Sequence, residues 1–136
     1  MKTIVVGYDG TEASDRALSR AGDLATAFGS SVIVTSVSSV MTSTAHGGGS
    51  DPTDPPEEHE ALLEKGRSAL AERGVHAQTV LATGDTAEAI VELAEQRSAD
   101  LIVVGTREPG FWERLLGHSV SAAVQRHARC DVLIVH

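Results

Sequence analysis

Thr3-Ile4-Val5-Val6-Gly7-Tyr8-Asp9-Gly10-Thr11, near the start of the 136-residue chain, is a short apolar run closed by two glycines. Its β-branched residues suit a pleated surface covered by neighbours, so Thr3–Val6 reads as a buried strand. At Thr11 the apolar period changes. Ala13, Ala17, Leu18, Ala21, Leu24, Ala25 and Phe28 recur on one helical face, and Gly29 stops the helix. Val32–Val37 returns to strand, with Val32, Ile33, Val34 and Val37 as its apolar members. Strand, tight turn, helix and strand in this order make a βαβ unit, which implies parallel strands and a right-handed crossover.

Further along, the same alternation continues. Glu57–Arg73 reads as the second helix, closed by Gly74, and His76–Leu81 as a more polar strand at a sheet edge. Asp85, with Glu88 three residues on, has the spacing of a capping box. The helix it opens carries Ala87, Ile90, Val91 and Ala94 on one face. Leu101–Val104 is continuously apolar and so belongs at the centre of a sheet, covered on both sides. A glycine-bearing loop, a helix from Ser119 to His127 and a last strand Val132–Val135 follow. The order β-α-β-α-β-α-β-α-β predicts an α/β fold with a parallel sheet, as one domain over residues 1–136. Between the second strand and second helix, residues 41–56 hold Gly47-Gly48-Gly49 with Pro52, Pro55 and Pro56, and read as an irregular loop. Loops of that length are functional flaps or tolerated insertions.

Composition narrows the function classes. Aromatic residues make up 3% of the chain, so Ala, Val, Leu and Ile fill the core. The formal charge of −8, with no Lys/Arg-rich run, argues against nucleic acid or an anionic membrane surface as partner. Cys130 is the only cysteine, so no internal disulfide forms; its place before the last strand suits a small buried hydrophobe. No apolar run reaches the ~20 residues of a membrane span, nor the form of a signal peptide, and the expected location is cytoplasmic.

Open parallel sheets bind ligands beyond the carboxyl ends of their strands, where the winding reverses. With the first and fourth strands adjacent, Gly7–Thr11 would meet the loop Gly105–Ser119, which ends at a helix N-terminus suited to an anion. Ser119 is equally a good N-cap residue. General motifs are missing. Gly110 is followed by Phe111-Trp112 rather than Lys-Ser/Thr, so no Walker loop is present. The six histidines lack zinc-site pairing. His118-Ser119 has no assignable acid partner for a triad. Phe111 and Trp112 read as packing residues, against a neighbouring helix or a second subunit, with ligand stacking the alternative.

Taken together, Ile4–Thr11, Gly84 before the third helix, Asp100–Arg107, Leu115–Ser121 and Cys130–Val135 resemble the universal stress protein (UspA-like) family across essentially the whole chain. The resemblance implies a five-stranded parallel sheet in the order 3-2-1-4-5 with helices on both faces, a Rossmann-like fold of the adenine nucleotide alpha hydrolase type. It also implies a homodimer through the last strand, Val132–Val135, and in many members an adenine nucleotide such as ATP, ADP, AMP or cyclic AMP, with Mg²⁺ where the nucleotide needs it. Residue by residue, Asp9 resembles the acid beside adenine and ribose, and Val37 the residue that packs on the base. Gly105 matches the first glycine of the phosphate motif and Ser119 its final hydroxyl, followed by Val120. Thr106, Arg107 and Gly117 complete the expected ligand-binding set.

The motif departs from the family at Glu108 and His118, where glycines are expected. Glycine lets a backbone approach phosphate without a Cβ. A carboxylate ~5 Å from a phosphate charge, at an effective dielectric near ~20, repels it by on the order of 3 kcal/mol, over ~100-fold in affinity. Arg107, Arg114 or a metal ion would offset that repulsion, and Gly110 and Gly117 offer another loop register. Two functions therefore stand side by side: an adenine-nucleotide-binding stress-response homodimer, or a dimeric interaction module of the same fold that binds none. Hydrolysis is the least supported, since neither a Walker lysine nor a general base is assignable. The expectation is a protein that is not an enzyme.

Overall fold

The structure is a computed structural model that describes residues 1–38, 56–106 and 120–136. Five strands, β1 (Thr3–Gly7), β2 (Ser31–Ser38), β3 (Ala77–Thr83), β4 (Leu101–Gly105) and β5 (Asp131–Val135), alternate with α1 (Glu12–Phe28), α2 (Pro56–Glu72), α3 (Thr86–Gln96) and α4 (Val120–His127). The sheet order is β3-β2-β1-β4-β5, and all four strand pairings are parallel. This is the expected order.

Alternating side chains divide the core into two layers. Ile4, Val6, Val32, Val34, Leu101 and Val103 face Ala17, Leu18 and Ala21 of α1 and Leu63 and Leu70 of α2. Val5, Ile33, Ile102 and Val104 face Ala87, Ile90 and Ala94 of α3 and Val124 of α4. The central strands therefore need apolar residues at every position, and Ile4, Val5, Val6 and Leu101–Val104 are all buried. β3 has only β2 beside it, which explains the exposed Gln78 and Thr79 and the polar sequence that marked it as an edge.

Local chemistry sets the helix ends. The Thr11 hydroxyl accepts from the Ser14 amide at 3.2 Å and caps α1, while Gly29 closes it in the left-handed region at φ 65°. Asp85 accepts from the Glu88 amide at 3.4 Å at the start of α3. Pro56 was expected to lie in the irregular loop, yet it is the first residue of α2. A proline there loses nothing, because the first helical N–H has no partner within the helix. The rest of that loop, 41–55, lies outside the described residues. Two further expectations shift. Phe28 is 60% exposed because α1 ends beneath it, and Cys130 is half-buried against the α3–α4 layer rather than enclosed. Burial, then the carboxylate of Asp131, push the Cys130 thiol up from its ordinary value.

Candidate functional site

β1 and β4 are hydrogen-bonded neighbours only as far as Val6 and Val103. Beyond that point each leans the other way. Gly7 pairs with Thr35 of β2, and the Tyr8 amide donates to the Thr35 carbonyl at 2.9 Å. Gly105 pairs with Val135 of β5, and the Thr106 amide donates to the Val135 carbonyl at 2.9 Å. The two chain ends thus part at the carboxyl edge of the sheet and open a crevice at the winding reversal, where open α/β sheets take their ligands.

Asp9 stands exposed at the mouth of this crevice. Its Oδ1 accepts from the Thr11 amide at 3.1 Å and from the Thr11 hydroxyl at 2.6 Å. Because the same hydroxyl caps α1, the carboxylate is held by the helix start rather than by a free loop. Tyr8, on the other side of Asp9, is buried in the α1–α2 layer, where its hydroxyl donates to Asp15 Oδ1 at 2.8 Å. Burial, then the hydrogen bond to Asp15, push its phenol up to about 12. Gly10 takes φ 81°, and a Cβ there would lie 2.7 Å from Leu62 Cδ2, so the loop rests directly on α2. Val37 is half-buried at the end of the neighbouring strand β2, on the α3–α4 side.

Gly105, expected in a loop, is the last residue of β4. A Cβ there would meet the Ala13 carbonyl oxygen at 2.3 Å. Contact with the first turn of α1 is therefore enough to require glycine at this position, whatever binds nearby. Thr106 turns toward β5, its hydroxyl 3.5 Å from the Val135 carbonyl and 3.4 Å from His136 Nδ1. Val120 opens α4 and is 44% exposed. The strand ends thus gather Asp9, Val37 and Gly105, while Thr106 is engaged with the far strand. Arg107, Gly117 and Ser119, with Glu108 and His118, lie outside the described residues. Among the described residues, no group of His, Cys, Asp or Glu is arranged to hold a metal ion, and no helix is long and apolar enough to cross a membrane.

Sequence reasoning missed two anchoring contacts. Ser36, buried near the end of β2, shares a 2.5 Å hydrogen bond with His59 Nδ1 and ties the first turns of α2 to the crevice edge. His59 fell in a polar helix start with no pattern to mark it. Asp100 Oδ2 accepts from the Lys2 amide at 2.7 Å and the Thr3 amide at 3.0 Å, fastening the start of β1 to the start of β4. These bonds, that from Thr3 first, hold its carboxyl below the ordinary value.

Asp9 thus presents a carboxylate held by Thr11, and Val37 a half-buried apolar side chain at the end of the next strand. Comparison with known proteins agrees with the fold. The family model for the universal stress protein family matches residues 1–136. Universal stress protein YxiE of Bacillus subtilis is 43% identical over 75 residues, a match that spans 54% of this chain and about half (50%) of that protein. Universal stress protein Rv1636 of Mycobacterium tuberculosis is 33% identical over 145 residues, spanning 99% of this chain and 96% of its own. A crystal structure of a universal stress protein in complex with cAMP superimposes with a TM-score of 0.81 at 32% identity, over 99% of this chain and 97% of that one. The whole-length family match and the shared sheet order lead to one conclusion: the chain belongs to the universal stress protein family.

Proposed function

We propose that this universal stress protein is a non-catalytic homodimer that binds an adenine nucleotide in the crevice between β1 and β4. The observation that carries the reading is the parting of those strands beyond Val6 and Val103, with Asp9 fixed at the opening. The similar protein crystallised with cAMP supports adenine as the base. Asp9 would receive a ribose hydroxyl or the base amine, and Val37 would cover one face of the ring. Binding without turnover is supported by the lack of a Walker lysine in the sequence. Pairing through β5 is supported by its place at the sheet edge, where Val132, Leu133 and Ile134 are only half-buried. Calorimetric titration of the purified protein with adenosine, cAMP, AMP and ATP tests the reading. Saturable heat that Asp9→Ala removes is the expected result, and no heat at millimolar ligand overturns it. Light scattering that gives a monomer mass at micromolar protein would overturn the dimer.

One observation favours a second reading, an interaction module without nucleotide. Packing against Ala13 accounts for Gly105, so that glycine is not by itself a mark of phosphate binding. Glu108 and His118 stand where the family's motif has glycines. Under this reading Glu108→Gly with His118→Gly creates ATP affinity in a protein that lacks it. Affinity unchanged by the double substitution counts against it.

A further inference from the structure

β3 is an edge strand that lacks the usual protection. Natural sheets guard their edges with charges, proline, bulges or very short strands, because exposed amides and carbonyls there will pair with another strand. Ala77-Gln78-Thr79-Val80-Leu81-Ala82-Thr83 is 7 residues long and contains no charge, proline or glycine. Hydrogen-bond parity shows which backbone groups point outward. His76 and Val80 turn their carbonyls to β2, accepting from the Val32 amide and the Thr35 hydroxyl, and the Gly84 amide donates to the Ser38 carbonyl of the same strand. Even-numbered positions therefore face β2, and Ala77, Thr79, Leu81 and Thr83 direct their amides and carbonyls away from it. Among the described residues no strand lies beyond them, and Gln78, Thr79 and Thr83 are exposed.

From this edge we infer that β3 is a self-association surface, on which a second copy of the chain adds its own β3 antiparallel, about a two-fold axis. Only a register centred on Val80 uses every outward residue. Ala77 of one copy then stands opposite Thr83 of the other, and Thr79 opposite Leu81, each pair exchanging both of its hydrogen bonds. Val80 meets Val80 as a close, non-hydrogen-bonded pair on the α3 face, a β-branched contact of the kind that stabilises sheets. Charge favours this direction as well. Arg97, at the end of α3, donates to Gln78 Oε1 at 3.2 Å near the start of β3, while Asp85 follows the strand and caps the start of α3. Arg73 is already paired with Asp23, and Glu72 ends α2 on the opposite face of the sheet. Antiparallel addition sets the Arg97 end of each α3 beside the Asp85 end of its twin, whereas a guest strand from an unrelated protein brings no such matched ends. One strand edge is small beside the ~1,200–2,000 Å² of a stable complex, so the association is weak and grows with concentration. It uses the sheet edge opposite β5 and neither needs nor replaces pairing there; with both edges engaged, dimers join into larger assemblies.

Sedimentation velocity on the full chain, from micromolar to millimolar protein, tests the inference. The average mass should climb with concentration toward at least twice its micromolar value. Thr79→Lys puts a charge on the outward edge, and Thr79→Pro removes an amide that β2 does not use; both should hold the mass at its micromolar value. Arg97→Glu should weaken the association, and adding Asp85→Lys to it should restore the match. The seam itself is read by cross-linking in a Cys130→Ser background. Val80→Cys should form a disulfide-linked dimer on the order of tenfold faster than Gln78→Cys, although residue 78 is the more exposed, because only position 80 faces its own twin. A mass that stays constant to millimolar protein overturns the inference and leaves the edge to a foreign strand. Association that Thr79→Lys does not alter, or Gln78→Cys linking as fast as Val80→Cys, also overturns it. Failure of pairing through β5 shows separately, as a monomer mass at micromolar protein.

Discussion

At the scale of single residues, Gly105 shows how a packing demand and a functional motif can share one position. Its missing Cβ is replaced by the Ala13 carbonyl, a backbone group that moves only if α1 moves. Gly105→Ala is therefore expected to destabilise the fold by about 1–3 kcal/mol through overpacking, toward the upper end because no side chain can swing aside. A denaturant midpoint unchanged from the parent would show that α1 gives way freely. Tyr8 is the only tyrosine, so its titration can be followed without ambiguity by phenolate absorbance. With its phenol raised from 10.0 to about 12 in the folded protein, the neutral form is the one the fold favours. That contribution is fully present below pH ~10, the unfolded value, and is lost as pH rises through the folded value. Stability should fall between about pH 10 and pH 12, and Tyr8→Phe should remove that part of the slope. The same variant loses the bond to Asp15 and is expected to cost about 1 kcal/mol at neutral pH, read by chemical denaturation.

At the scale of elements, the start of α1 joins stability to the site, since Thr11 both caps the helix and holds Asp9. Thr11→Ala should cost about 1 kcal/mol of stability from the lost cap. It should also weaken adenine binding, where a distant destabilising change would not, and titration of the folded variant separates the two effects. Asp100 has a comparable part at the other edge, where it fastens β1 to β4. Its carboxyl is held below the ordinary 3.8 by the Thr3 and Lys2 amides, so the contribution is present above that value and fades as pH falls through the lower folded value. Amide exchange at Lys2 and Thr3 should accelerate in that acid range, and Asp100→Ala should make them fast at neutral pH. Slow exchange in that variant would show that strand pairing alone holds the chain end. Element identity was legible in the sequence because burial on two faces forces Ile4–Val6 and Leu101–Val104 to be apolar throughout. Pro56 was misplaced because proline signals a break everywhere except at a helix's first residue.

At the scale of the whole molecule, a ligand that binds only the folded state raises its stability by mass action. cAMP at one hundred times its dissociation constant should add about 2.7 kcal/mol, seen as a rise in melting temperature that Asp9→Ala abolishes. A melting temperature indifferent to saturating cAMP would separate the fold from the proposed ligand. The site was less legible than the fold for the same large-scale reason. Asp9, Val37 and Gly105 sit at the ends of three different strands, and only sheet order makes them neighbours. His59, on a helix start without any motif, is joined to the end of β2 by its bond to Ser36.

Sequence alone determined the alternation of strands and helices, the central place of the first and fourth strands, the polar edge of the third and the family likeness. Each follows from local periodicity or from how many sides of a segment must be dry. Tertiary structure alone decided that the strands part after Val6 and Val103, that Thr106 turns toward β5, and that Ala13 occupies the space Gly105 leaves. Those facts depend on contacts between residues far apart along the chain, and no local pattern encodes a distance between them.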